Sequence, residues 1–105
     1  MKKLFVLIVL IAGIVWGAEA QSKEITFEQT KEWKKVLKKA KKEKKLIFID
    51  CYTSWCGPCK YMTETIFPQE KAGEFFNPKF VCVKFDMEKG EGPELAKRFG
   101  VRAYP

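Results

Sequence analysis

Four cysteines and one aspartate carry most of the chemistry that this chain's residue types allow. Three of the thiols fall in "FIDCYTSWCGPCKYM", as Cys51, Cys56 and Cys59, the fourth is Cys82, and the chain has no histidine. Three chemistries fit this set. The spacing Cys51-x4-Cys56-x2-Cys59 followed by Cys82 is that of a plant-type two-iron, two-sulfur cluster, which would make the protein an electron carrier. Zinc fits less well, because a lone C-x-x-C without histidine lacks a second pair of ligands. An even cysteine count in a short chain also suits structural disulfides. The third chemistry is a redox couple at Cys56 and Cys59. A C-x-x-C that opens a helix directly after a strand sets its first thiol beside unpaired backbone N–H groups and the positive end of the helix dipole, where the thiolate is stabilised. Cys56 is then the nucleophile, and Cys59, one turn inside the helix, the more covered partner. Gly57 permits the tight turn, and Pro58 pre-sets the helical angle where a missing N–H costs little. Cluster ligands wrap their metal from an irregular loop, whereas Cys51 falls within an apolar strand pattern, which counts against the cluster.

The elements that must position these residues follow from periodicity. From Thr26 onward the pattern predicts an amphipathic helix, with Trp33, Val36, Leu37 and Ala40 at i, i+3, i+4 and i+7 and lysines filling the other positions. "LIFIDCY" then reads as a strand covered on both faces, interrupted by one charge, Asp50. After the cysteines, "KYMTETIF" continues as helix until Pro68 forces a break or kink. A second helical piece is expected over 69–76, a turn at Asn77-Pro78, and a strand over "KFVCVKFDME". A last helix carries Pro93 in its first turn, Glu94 at its positive end and Gly100 past its close. The order is helix, strand, helix, strand, helix. Its crossovers are long enough for parallel strands, so the fold class is α/β.

These residues together resemble the thioredoxin superfamily over roughly 27–105. "WCGPCK", Trp55 to Lys60, matches the active-site motif of that family in full. Asp50 stands where the family carries a buried aspartate, and Lys84 falls in the next strand where the family carries its lysine partner. "GVRAYP" resembles the segment that ends in a cis-proline, which would be Pro105, with Tyr104 before it. The resemblance implies a mixed central sheet flanked by helices. It also implies a monomer without a cofactor that exchanges disulfides with protein substrates. There are departures: Pro68 comes nine residues after Cys59, as in exported thioredoxin-like proteins whose long helix is split. The last two strands and the last helix of the family would follow Pro105, so the expectation is a domain incomplete at its C-terminus.

On this resemblance Asp50 takes the proton that Cys59 must lose, burial raising its pKa and Lys84 limiting the rise. The structural alternative is a plain Asp50–Lys84 ion pair. Trp55 would sit beside the nucleophile, and Pro105 would present the Tyr104 backbone to a substrate strand. If Asp50 and Lys84 face each other on neighbouring strands, Cys82 shares the Lys84 face while Cys51 points to the other. The two cannot then bridge, and both read as small core residues. A binding module that keeps the fold without catalysis is the remaining reading.

The N-terminus bounds the setting. Lys2 and Lys3, an apolar run from Leu4 to Ala18 and the triplet Ala18-Glu19-Ala20 have the form of a secretory signal, leaving 21–105 as the working domain. The run is shorter than the ~20 residues that span a bilayer. The whole chain carries a net charge of +7. Nine lysines between Lys31 and Lys45 supply most of the basic surplus on one solvated helix face, and export makes nucleic acid an unexpected partner. A periplasmic or secreted reductant would need re-reduction, for which a membrane electron donor is expected.

Overall fold

A computed structural model describes residues 24–105 of the chain. The proposed secretory signal lies outside the described residues. In chain order the elements are α1 (Trp33–Glu43), β1 (Leu46–Tyr52), α2 (Gly57–Tyr61) running on as a π-helical turn (Met62–Ile66), α3 (Glu70–Lys79), β2 (Phe80–Asp86) and α4 (Gly92–Phe99). The two strands pair in parallel, and the register sets Asp50 opposite Lys84 and Cys51 opposite Phe85. No helix among the described residues is long and apolar enough to cross a membrane.

Strand parity divides the core into two halves. One face of the sheet, with Ile47, Ile49, Cys51, Val81, Val83 and Phe85, packs under α1 and α4 through Val36, Ala40 and Leu95. The other face, with Phe48, Phe80 and Cys82, packs against Phe67, Ile66 and Met62 of the split helix and Phe76 of α3. Cys51 and Cys82 therefore sit on opposite sides of the sheet, as the alternation of strand side chains requires.

Two expectations fail for identifiable reasons. Residues 26–32 are not helical, and α1 begins at Trp33. Phe27 instead forms a parallel bridge with Cys82, and the Glu28 N–H donates to the Cys82 carbonyl. Ile25 and Phe27, two residues apart, bury on the same side of this short edge. The helix start is capped from a distance, because the Trp33 N–H donates to Glu91 Oε1 at 2.9 Å. Nor is there a turn at Asn77-Pro78: α3 runs through both residues and passes directly into β2 at Phe80. Pro78 forfeits one helical N–H close to the end, where the loss is small. Asn77 serves elsewhere, accepting the Thr26 N–H and donating to the Glu24 carbonyl, both at 2.9 Å.

The break at Pro68 does occur. The helix widens first: the Phe67 N–H reaches back five residues to the Met62 carbonyl at 2.8 Å. After α4, Gly100 takes the left-handed conformation expected of it, with φ +67°. At the start of α4 glycine is demanded by space, since a Cβ on Gly92 would overlap the Asp86 carbonyl.

Candidate redox site

The end of β1 delivers the cysteines. Cys56 is the N-cap of α2 in extended conformation, and its Sγ accepts the Cys59 N–H at 3.1 Å. A sulfur so placed receives a backbone donor and the positive end of the helix dipole, both of which favour thiolate over thiol. Cys56 and Cys59 form a disulfide, with Cα atoms 5.3 Å apart. The expected difference in cover is absent, since each cysteine is 4 % exposed. As the cap, the Cys56 sulfur turns inward over the first helical turn, toward both the Cys59 N–H and the Cys59 sulfur.

Pro58 falls in the first turn of α2, where its missing N–H has no helical acceptor to lose. Gly57 differs from expectation. Its φ is not positive and a Cβ there would meet nothing within 4 Å, so neither conformation nor crowding requires glycine. Gly57 and Pro58 are both exposed, and they leave open ground beside the disulfide.

Asp50 is 4 % exposed, and its Oδ2 has no hydrogen-bond partner among the described residues. Lys84 Nζ stands 3.9 Å from that oxygen. Burial pushes the Asp50 pKa up, and the Lys84 charge opposes it without cancelling it. The Lys84 ammonium is better held by Thr63, whose Oγ1 accepts from it at 2.9 Å. Lys84, Thr63 and Cys59 line one pocket of about 220 Å³ with Tyr52, Thr53 and Lys60. Cys59 and Lys84 thus share a solvent-accessible pocket, whereas Asp50 lines a different cavity. The Thr53 hydroxyl, also in the lining of the Cys59 pocket, is buried and has no hydrogen-bond partner among the described residues.

Trp55 is 66 % exposed beside the disulfide. Its ring meets Tyr104 edge-on with centroids 5.9 Å apart, and its Nε1 donates to Glu88 Oε1 at 3.0 Å. The Tyr104–Pro105 peptide is cis. Pro105 lines a second cavity of about 360 Å³ together with Asp50, Cys51 and Met62. Trp55 and Tyr104 therefore meet next to the cysteines, while Pro105 reaches the Asp50 side of β1.

The remaining cysteines stand apart from this chemistry. Burial raises the Cys51 pKa, with the Asp50 charge adding to the effect, and burial pushes Cys82 up to about 11. Because they lie on opposite faces of the sheet, the four sulfurs do not converge on one point, and the cluster reading loses its geometry. Among the described residues no group of three or more acidic, cysteine or histidine side chains is placed to hold a metal ion.

Sequence reasoning missed two residues at the site. Thr63 had a signal, since it lies four residues after Cys59 in a helical stretch and so faces the same way. Glu88 had none, because its link to Trp55 depends on how the loop after β2 folds back.

Comparison with known proteins agrees with this geometry. The family model Thioredox_DsbH, described as "Protein of unknown function, DUF255", matches residues 20–102. Thioredoxin-1 of Drosophila melanogaster is 41 % identical over 61 residues, covering 58 % of this chain and 52 % of the fly protein. Thioredoxin H2 of Arabidopsis thaliana is 33 % identical over 90 residues, covering 85 % of this chain and 63 % of the plant protein. The chain thus spans about half to two thirds of the length of these curated relatives. A solution structure of a "putative disulphide-isomerase" from Bacteroides thetaiotaomicron superimposes with a TM-score of 0.68 at 48 % identity, over 82 % of this chain and 70 % of that one.

Proposed function

Because the chain belongs to the thioredoxin-like Thioredox_DsbH family, we propose that it is a thiol–disulfide oxidoreductase that reduces disulfides of exported proteins through Cys56 and Cys59. The observation that carries this reading is the Cys56 sulfur at the head of α2, bonded to Cys59 and accepting its N–H. In the reduced protein the Cys56 thiolate attacks one sulfur of a substrate disulfide. A mixed disulfide forms and the other substrate sulfur leaves as thiolate. Cys59 then gives its proton to Asp50 and attacks the Cys56 sulfur. That step closes the Cys56–Cys59 disulfide and releases the second substrate thiolate, so two electrons have passed from protein to substrate.

The other residues take supporting roles. Lys84 tunes Asp50, and the exposed Gly57 and Pro58 leave room for the incoming disulfide. Trp55 and Tyr104 wall the approach, with the Tyr104 backbone and Pro105 receiving the substrate strand. The working domain is 21–105, freed from an export signal at 1–20 and acting as a monomer in the periplasm or outside the cell. A membrane electron donor restores the dithiol. The Bacteroides neighbour's name favours a second reading, isomerisation, which uses the same attack by Cys56 with a substrate thiol, rather than Cys59, resolving the mixed disulfide.

The test is reduction of insulin by the full chain with dithiothreitol as electron source, and rearrangement of scrambled ribonuclease. Turbidity from insulin that depends on Cys56 and Cys59 supports the reductase. Rearrangement that survives Cys59→Ser supports the isomerase. A Cys56→Ser variant indistinguishable from the parent in both assays rejects the proposal.

A further inference from the structure

Lys84 has two claimants. Its ammonium is 3.9 Å from Asp50 Oδ2 and 2.9 Å from Thr63 Oγ1, so its closer partner is a neutral hydroxyl rather than the buried carboxylate. The rings of Phe27 and Tyr52 flank it at 5.4 and 5.5 Å. Thr63 belongs to the π-helical turn Met62–Ile66, and turns of that kind reset which side chains face the neighbouring element. A lysine on a flexible stem settles where its donors are best met, and the hydroxyl, through a charge-assisted bond, meets one of them.

We propose that Thr63 is a positioning residue: its hydroxyl holds the Lys84 ammonium at the Cys59 pocket and out of hydrogen-bond contact with Asp50, so that the carboxyl stays under-paired. The catalytic consequence rests on the function proposed above, whereas the effect on Asp50 does not. Lys84 faces Asp50 across the ladder. Cys51 and Tyr52, next along β1, are made harder to deprotonate first by burial, with the Asp50 charge adding to both and the Asp86 charge acting ahead of it on Tyr52. The second cavity, from the side of the split helix and the C-terminal stretch, brings Met62, Phe67, Val101, Ala103 and Pro105, none of them charged. Lys60 and Glu64 border the Lys84 pocket instead. Lys84 is thus the adjustable charge beside Asp50 among the described residues.

Thr63 is exposed, so Thr63→Val removes the hydroxyl without cutting into the core. The ammonium then turns to Asp50. Closing the present gap to ~2.8 Å strengthens the pair by up to roughly tenfold at an effective dielectric near ~20, which moves the Asp50 titration down by up to about one pH unit. The measurement is a carbon-13 titration of the Asp50 carboxyl in the oxidised full chain, run beside the pH dependence of mixed-disulfide resolution. The expected result is a lower midpoint in Thr63→Val and Thr63→Ala, the parental midpoint in Thr63→Ser, and a higher midpoint in Lys84→Met. A midpoint in Thr63→Val at or above that of the parent overturns the proposal, including when the variant merely melts earlier. A lowered midpoint supports it even if Asp50→Asn leaves the resolution rate untouched. That last result would remove Asp50 as the base and leave Thr63 as the residue that positions Lys84.

Discussion

Replacing Asp50 by asparagine should make the oxidised protein more stable at neutral and alkaline pH, although it deletes one half of an ion pair. The carboxylate is buried, one of its oxygens has no hydrogen bond among the described residues, and its counter-charge is 3.9 Å away. At that distance the attraction is about 4 kcal/mol at an effective dielectric of ~20, while taking an ion out of water costs several kcal/mol. The Lys84 side chain is partly exposed and bonded to Thr63, so its share of the attraction is diluted by solvent. Burial wins, and the Asp50 pKa lies above the ordinary carboxylate value of 3.8.

The sign of the pH dependence follows. A carboxyl whose folded pKa is raised binds its proton more tightly in the native state than in the unfolded one. Its favourable contribution is complete below the ordinary value and is lost as pH rises through the folded value. Asparagine imitates the protonated form at every pH. The stability difference between Asp50→Asn and parent should therefore grow from its acid-limit value through the Asp50 titration. The plateau gain should be about 1–3 kcal/mol, the usual cost of an unmet buried polar group. In a domain of this size that is worth roughly 4–8 °C in Tm per kcal/mol. Urea unfolding of both proteins, disulfide intact, at a series of pH values with m held constant, reads the difference directly. An Asp50→Asn protein less stable than the parent at pH 8 would refute the balance drawn here, because the carboxylate would then be net stabilising. The same variant should slow resolution of the mixed disulfide by roughly 10²-fold or more, the ordinary contribution of a positioned base.

Other perturbations separate structure from chemistry. Cys51→Ala with Cys82→Ala should lower stability by roughly 1–3 kcal/mol in all, yet leave insulin reduction intact; loss of reduction in a folded double variant would return these thiols to the mechanism. Native Cys82, buried with its pKa at about 11, should resist iodoacetamide at pH 8 until urea unfolds the chain, as mass spectrometry would report. Gly92→Ala forces a methyl against the Asp86 carbonyl and should cost about 1–3 kcal/mol by urea unfolding. Lys44, which closes α1 with φ +56° and carries a Cβ there, should yield about 1 kcal/mol of extra stability on replacement by glycine.

Much of this site was legible because it is written in local codes. The C-x-x-C at a strand-to-helix junction, the single charge in "LIFIDCY" and the alternation in "FVCVKFD" set the disulfide pair, the buried acid and the faces of Cys51 and Cys82. What the sequence hid depends on contacts made across long separations. Phe27 bridges to Cys82, Asn77 clasps residues 24 and 26, and Glu91 caps a helix that begins 58 positions earlier. Each was misread or passed over because its local pattern favoured another use: a lysine-rich helix for Phe27, an Asn-Pro turn for Asn77. Gly57 shows the reverse case, a residue whose type suggests a conformational demand that the backbone does not make.

The Asp50–Lys84 pair explains why one strand position carries a charge. Register alone would allow the two side chains to form a closed ion pair, and such a pair would hold the carboxylate ionised and chemically idle. Two features work against closure. The carboxyl lies deep enough that ionisation is resisted, and the ammonium is taken up by Thr63, which stands four residues past Cys59 on the same helical segment. The lysine that faces the acid is therefore anchored to the helical segment that carries Cys59.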